Sequence, residues 1–129
     1  MQKKLLKDCG RIKRMKSGIN FEQGEIVFVP LPFNNLRSTK KRPVLIISKT
    51  DYNQKSVDFI SCGITSNIKT ANCSVLIDNK DLQKGYLPMP SRIKVNTIFT
   101  LEKSSVIRSY GKVKEEVLKK VKEELYKLF

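Results

Sequence analysis

From Gly24 onward, proline and glycine cut the apolar residues of this chain into short runs. Ile26–Val29 is closed by Pro30 and Pro32, which cannot donate to a β-ladder. Val44–Ile47 opens behind Pro43 and is rich in β-branched residues, the type that suits a strand. Val57, Phe59 and Ser61 alternate with Asp58, Ile60 and Cys62, a strand pattern that reaches Thr65. Cys73–Asp78 makes a further short strand, and Ser91–Val95 follows the punctuation of Pro88 and Pro90. Phe99–Glu102 extends or follows that strand. Asn34–Lys41, Thr50–Lys55 and Asn67–Ala71 read as loop or turn, and Lys80–Gly85 as a loop or one helical turn ended by Gly85. Only at the C-terminus is there a clear helical stripe: Val113, Val117, Val121, Leu125 and Leu128 recur at spacings of four and three. Glu115 with Lys119, Glu116 with Lys120 and Glu123 with Lys127 stand in the favourable i, i+4 order on its other face. Short strands, Gly/Pro turns and one late helix predict a small, curved antiparallel β-barrel, mainly β with α.

A chain of 129 residues suits one domain with a modest core. The texture divides it into a basic extension over 1–19 and a single domain over 20–129. The extension holds Lys3, Lys4, Lys7, Arg11, Lys13, Arg14 and Lys16 against Asp8 alone, which suits a nucleic-acid-binding arm or a solvated tail. No run approaches the ~18 apolar residues of a membrane span. Nor does the basic N-terminus lead into the apolar stretch of a secretory signal, so the expected location is the cytoplasm.

The net charge of +14 asks for a polyanionic partner, and nucleic acid is the default because phosphate contacts give affinity without a deep pocket. Cys9, Cys62 and Cys73 lack metal-like spacing, so no metal or other cofactor is expected. The chain has 0 histidines, which excludes serine–histidine and cysteine–histidine nucleophile systems. Any catalysis must use Arg, Lys, Thr, Ser, Tyr, Cys or carboxylates.

Arg42 leads that set. Pro43 biases it toward extended backbone at the start of a buried strand. Its rigid guanidinium fork matches phosphate oxygens. Thr65, with Ser66 beside it, ends the next apolar run; a threonine hydroxyl can bond a phosphate oxygen or relay a proton. Arg37, Lys40 and Lys41 make the loop before Arg42 strongly basic.

The ordered set of Gly24-Glu25-Ile26, Arg42-Pro43, Ile64-Thr65-Ser66, Ser91-Arg92-Ile93-Lys94-Val95 and Phe99-Thr100-Leu101-Glu102-Lys103, with Gly111 before the last helix, resembles the MazF/PemK family of toxin endoribonucleases. The resemblance covers most of the chain from about Gly24 and leaves residues 1–23 outside. It implies an SH3-like barrel with attached helices and a homodimer. It also implies sequence-specific, metal-independent cleavage of single-stranded RNA by the ribose 2′-hydroxyl, and a small antitoxin with an acidic segment. By resemblance, Arg42 and Thr65 match the catalytic arginine and threonine. The Arg-x-Asp triplet of the family's PemK-like branch falls on Lys94-Val95-Asn96; lysine keeps a positive charge, but an amide cannot serve as a base, so Lys94 and Asn96 are RNA-binding candidates and the general base is unassigned. Glu25 is a carboxylate on the first strand that can simply face solvent. The loop before Arg42, which helps set the family's RNA preference, lacks the glycine common in relatives. The alternative is a barrel that binds nucleic acid or protein without catalysis, including a toxin that poisons a topoisomerase by contact.

Overall fold

In the computed structural model, which describes residues 20–32 and 39–129, seven strands form one antiparallel sheet. They are β1 (Glu25–Pro32), β2 (Thr39–Ile46), β3 (Asp58–Thr65), β4 (Ser74–Ile77), β5 (Leu82–Gly85), β6 (Ser91–Glu102) and β7 (Arg108–Val113), with helices α1 (Thr50–Lys55) and α2 (Glu115–Tyr126). Across the sheet the order is β4-β6-β3-β2-β1-β7-β5. The basic N-terminal extension and Arg37 lie outside the described residues.

The connection between the two outermost strands forces this sheet to curl. Laid flat, seven strands at ~4.8 Å spacing would hold β4 and β5 about 29 Å apart. Yet the chain passes from Ile77 to Leu82 in five Cα steps, a reach of at most about 18 Å. A tight 3-10 turn, Asn79–Asp81, makes the link; Lys80 N donates to Asp78 Oδ1 at 3.0 Å and Asp78 N to Asp81 Oδ2 at 2.9 Å. The result is a strongly curled, barrel-like sheet whose two edge strands are linked by a turn without pairing.

Alternate residues of the strands fill the barrel interior: Ile26, Leu45, Cys62, Ile64, Val75, Ile77, Ile93, Val95 and Val113 are buried there. Helix α2 closes one end with Val117, Leu118 and Val121. Leu118 packs so closely on Gly24 that a Cβ there would lie 3.0 Å from Leu118 Cδ1. A second cluster, Val27, Val29, Leu31, Val44, Ile46 and Phe59, covers the other face of β1–β3. Among the described residues no helix is long and apolar enough to cross a membrane.

The antiparallel barrel-like architecture and the C-terminal helix match the sequence expectation; several boundaries do not. The prolines do not stop β1, because Pro30 pairs with Lys41 and Pro32 with Thr39. Phe28 O accepts from Ile107 N, so the even residues of β1 direct their backbone groups toward β7. That ladder ends at Phe28, and a missing N–H at Pro30 or Pro32 therefore forfeits no rung. Lys40 and Lys41 accordingly belong to β2 and not to a loop. Thr50–Lys55 is a turn and a half of helix, and Val113 ends a strand before α2 begins. Leu82–Gly85 is β5, held to β7 where Gly85 faces Gly111. Both glycines have positive φ (93° and 148°), and a Cβ on Gly85 would come within 2.1 Å of Tyr110 O.

Candidate active site

The Arg42-Pro43 pair shapes the local geometry through a backbone effect. Ile47 N donates to Ile60 O, so the odd residues of β2 aim their backbone groups at β3. Pro43 belongs to that series and has no N–H. The β2–β3 ladder ends one residue before it, at Val44 opposite Gly63. Arg42 lies two residues past that rung on β2 and Thr65 two residues past it on β3, both on the face of Val44 and Gly63. On the far side Thr65 pairs with Arg92 of β6, and Arg92 in turn with Leu76 of β4. Directly opposed residues share a face, with Cβ atoms about 4.5–5.5 Å apart, which holds for Val29 with Arg42, for Thr65 with Arg92 and for Arg92 with Leu76. Val29, Arg42, Thr65, Arg92 and Leu76 thus form one row on the outer face of the barrel.

The next row is Val44, Gly63, Lys94 and Ser74. Gly63 leaves the floor between the rows without a side chain, and Thr97 leans over it, 3.4 Å from where a Cβ would sit. Lys94 and Asn96 alternate with buried Ile93 and Val95, so both are exposed on the outer side of β6. Asn96 lies in a bulge: the β3–β6 register jumps from Gly63 opposite Lys94 to Cys62 opposite Ile98. Lys40 shares the face of Arg42, whereas Lys41, one residue on, belongs to the other face. Ser66 is exposed just past β3. Glu25 is remote from the row, at the opposite end of β1, where its Oε1 accepts from Glu22 N at 3.0 Å.

The Thr65 hydroxyl is preset by the loop that follows it. Asn67 N donates to Thr65 Oγ1 at 3.1 Å, which occupies an acceptor site and leaves the O–H to donate outward. Asn67 Oδ1 receives Lys69 N at 3.2 Å. Arg92 ties this loop down: its Nε donates to Ile68 O and its Nη1 to Ser74 Oγ, both at 3.1 Å. Ser74 Oγ passes the constraint on by donating to Ala71 O at 2.6 Å. Cys73 closes the loop in the left-handed region, φ 57°, with its carbonyl accepting from Val95 N at 2.9 Å.

The structure sets Arg42, Thr65 and Lys94 on one face, with Ser66 and Asn96 exposed nearby, and adds Arg92, which the sequence reading did not single out. The signal was available: Arg92 alternates with Ile93 on a strand, which puts a cation on the face that Lys94 occupies. Two guanidinium groups, an ammonium and a hydroxyl facing one floor make a site for phosphate oxygens. The two rows contain no carboxylate. Among the described residues no three Cys, Asp or Glu side chains group as metal ligands would.

An open-ended small barrel with a cationic rim defines a class of nucleic-acid-handling proteins, and the comparisons narrow it. Residues 22–129 match the family described as PemK-like, MazF-like toxin of type II toxin–antitoxin systems, and the chain belongs to that family. Its fold is similar to that of an endoribonuclease from a mycobacterial species solved with its cognate antitoxin, at 20% identity and TM-score 0.69, over 83% of this chain and 92% of that one. A MazE–MazF structure from Deinococcus radiodurans (Form-III) gives 20% identity and TM-score 0.69, over 85% and 96%. The Mycobacterium tuberculosis toxin MazF-mt6 gives 17% and 0.62, over 78% and 93%. A search of curated proteins returned no significant match.

Proposed function

We propose that this toxin is a sequence-specific endoribonuclease acting on single-stranded RNA without a metal ion. The observation that carries the reading is that Arg42 and Thr65 lie on one face of neighbouring strands, each two residues past the last rung of the β2–β3 ladder. In the reaction the 2′-hydroxyl loses its proton, the O2′–P bond forms, the P–O5′ bond breaks and O5′ takes up a proton. The products are a 2′,3′-cyclic phosphate and a 5′-hydroxyl. Arg42 holds the non-bridging oxygens as the phosphorane gains charge, the kind of fixed electrostatic support that often supplies the largest catalytic share. Thr65 donates its free O–H to the same phosphate. Lys94 and Arg92 add positive charge along the rim, and Lys40, Lys41, Arg37, Ser66 and Asn96 contact the RNA to either side.

The protein acts in the cytoplasm as a homodimer, and a cognate antitoxin with an acidic segment neutralises it. The net charge of +14 and the antitoxin complexes of its structural relatives support that pairing. The test is incubation of the purified protein with single-stranded RNA in EDTA, followed by end-group analysis. Cyclic phosphate and 5′-hydroxyl ends are expected. A requirement for added magnesium, or 5′-phosphate ends, refutes this chemistry; binding without cleavage moves the protein to the non-catalytic barrels.

A further inference from the structure

On the face of β1 opposite the catalytic row, Phe28 stands directly across from Arg108 of β7 and, on its other side, from Pro43. The β1–β7 register slips between Ile26 and Val27, which leaves Tyr110 as the extra residue of a bulge. Bulges re-aim side chains. This one sets the Tyr110 ring edge-on to Phe28, with centroids 5.6 Å apart and planes at 76°. The Arg108 guanidinium rests in the corner the rings make, 5.3 Å from the Phe28 centroid and 5.1 Å from that of Tyr110, inside the range of cation–π attraction. Its Nη2 also donates to Tyr110 Oη at 3.4 Å. Tyr86, just past β5, is 65% exposed, and its N donates to Tyr110 O at 3.0 Å.

Arg108 is exposed, and among the described residues no carboxylate pairs with it. Two rings hold the inner side of its guanidinium, and the outer side is open to solvent. We propose that this outer plane is a stacking subsite for the base of a nucleotide next to the scissile phosphate. The inference rests on the endoribonuclease reading above. Single-stranded RNA presents splayed bases that stack on aromatic rings and on arginine planes. Phe28 adjoins Pro43, the residue after Arg42, so Arg108 and Arg42 are two strand spacings apart, about 10 Å between their backbones. An RNA strand whose phosphate sits at Arg42 can turn over the rim and lay a neighbouring base on Arg108. Because every base has a π-face, the subsite contributes affinity and register, and a purine, with more surface to stack, is preferred there.

The test uses a short 2′-O-methyl RNA spanning the mapped cleavage site, which binds but has no nucleophile, and the same sequence with one abasic position moved along it. Arg108→Ala is expected to weaken binding of the intact oligonucleotide about tenfold, the scale of one stacked base. Arg108→Lys should be nearly as weak, because it keeps the charge and loses the plane. At one abasic position the wild-type protein and Arg108→Ala should bind alike. Full affinity in Arg108→Lys, or a loss of equal size at every abasic position, overturns the subsite in favour of plain charge while leaving the cleavage reading intact. Unchanged RNA affinity with weakened poly-glutamate binding also overturns it and assigns the surface to an acidic protein. If the wild-type protein neither binds the oligonucleotide nor cuts its ribose counterpart, the endoribonuclease reading falls and takes the subsite with it.

Discussion

Arg42 and Arg92 stand on the strands to either side of Thr65, and the proposed site gives them different tasks. Arg42 is exposed at the end of a ladder, so Arg42→Ala should cost little stability, within about 0.5 kcal/mol. Its loss of transition-state support should slow single-turnover cleavage by about a hundredfold or more. Arg42→Lys should recover little, since ammonium cannot reproduce the bidentate fork. Near-normal cleavage by folded Arg42→Ala protein would remove the centre of the functional reading. Arg92 hydrogen-bonds Ile68 O and Ser74 Oγ in the loop after Thr65, and the proposed function makes it a positioning residue for that hydroxyl. Arg92→Gln should lower the single-turnover rate at saturating RNA by between about ten- and a hundredfold, the scale for misplacing a catalytic group. The same variant should speed amide exchange at Asn67 and Lys69, the two loop amides whose bonds fix the turn. Unaltered exchange at those amides would deny the positioning role. The difference between these arginines could not be read in the sequence: a strand-start arginine before proline is a local pattern, whereas the partners of Arg92 come from loop geometry.

Elements whose own residues carry an apolar pattern were legible: the β1, β2 and β3 runs, the start of β6 and the stripe of α2. Strands β5 and β7 were not, because Leu82-Gln83-Lys84-Gly85 and Arg108-Ser109-Tyr110-Gly111 have little apolar alternation. Their pairing depends on two backbones closing together at Gly85 and Gly111. Gly85→Ala combines positive φ with a backbone clash at 2.1 Å and should destabilise the fold by at least about 2 kcal/mol, seen as a lower chemical-denaturation midpoint. A midpoint equal to wild type would mean the β5–β7 contact is not a required seam. Strand β3 supplies a pH prediction. Burial pushes the Cys62 thiol up from its ordinary 9.0 to about 12. The unfolded chain therefore gives up that proton first, and the stability the buried thiol contributes is whole below pH 9.0 and is lost as pH rises toward about 12. Cys62→Ala should flatten the fall of melting temperature across that interval. Lys103, held low by desolvation, works in the opposite sense and is common to both proteins. Parallel curves for wild type and variant would refute the assignment.

At the scale of the whole molecule, an excess of 26 basic over 12 acidic residues should dominate RNA affinity. Each phosphate neutralised releases counterions, so log Kd should climb steeply and linearly with log salt. Removing residues 1–16, which carry seven basic side chains against Asp8, should lower that slope and leave the cleavage sequence as it was. An identical slope and low-salt affinity after the deletion would exclude the N-terminal arm from the RNA-binding surface. The barrel itself has a consequence for how the toxin comes into being. Its β1–β7 ladder puts Glu25 opposite Lys112, so the first strand waits for the last before it is paired on both edges. Such distant pairings are entropically late. A ribosome that has released Arg42, Thr65 and Arg92 has therefore made every member of the outer row and still no finished barrel. The barrel is completed only after β7 has emerged, which gives an inhibitor an interval of translation in which to be waiting.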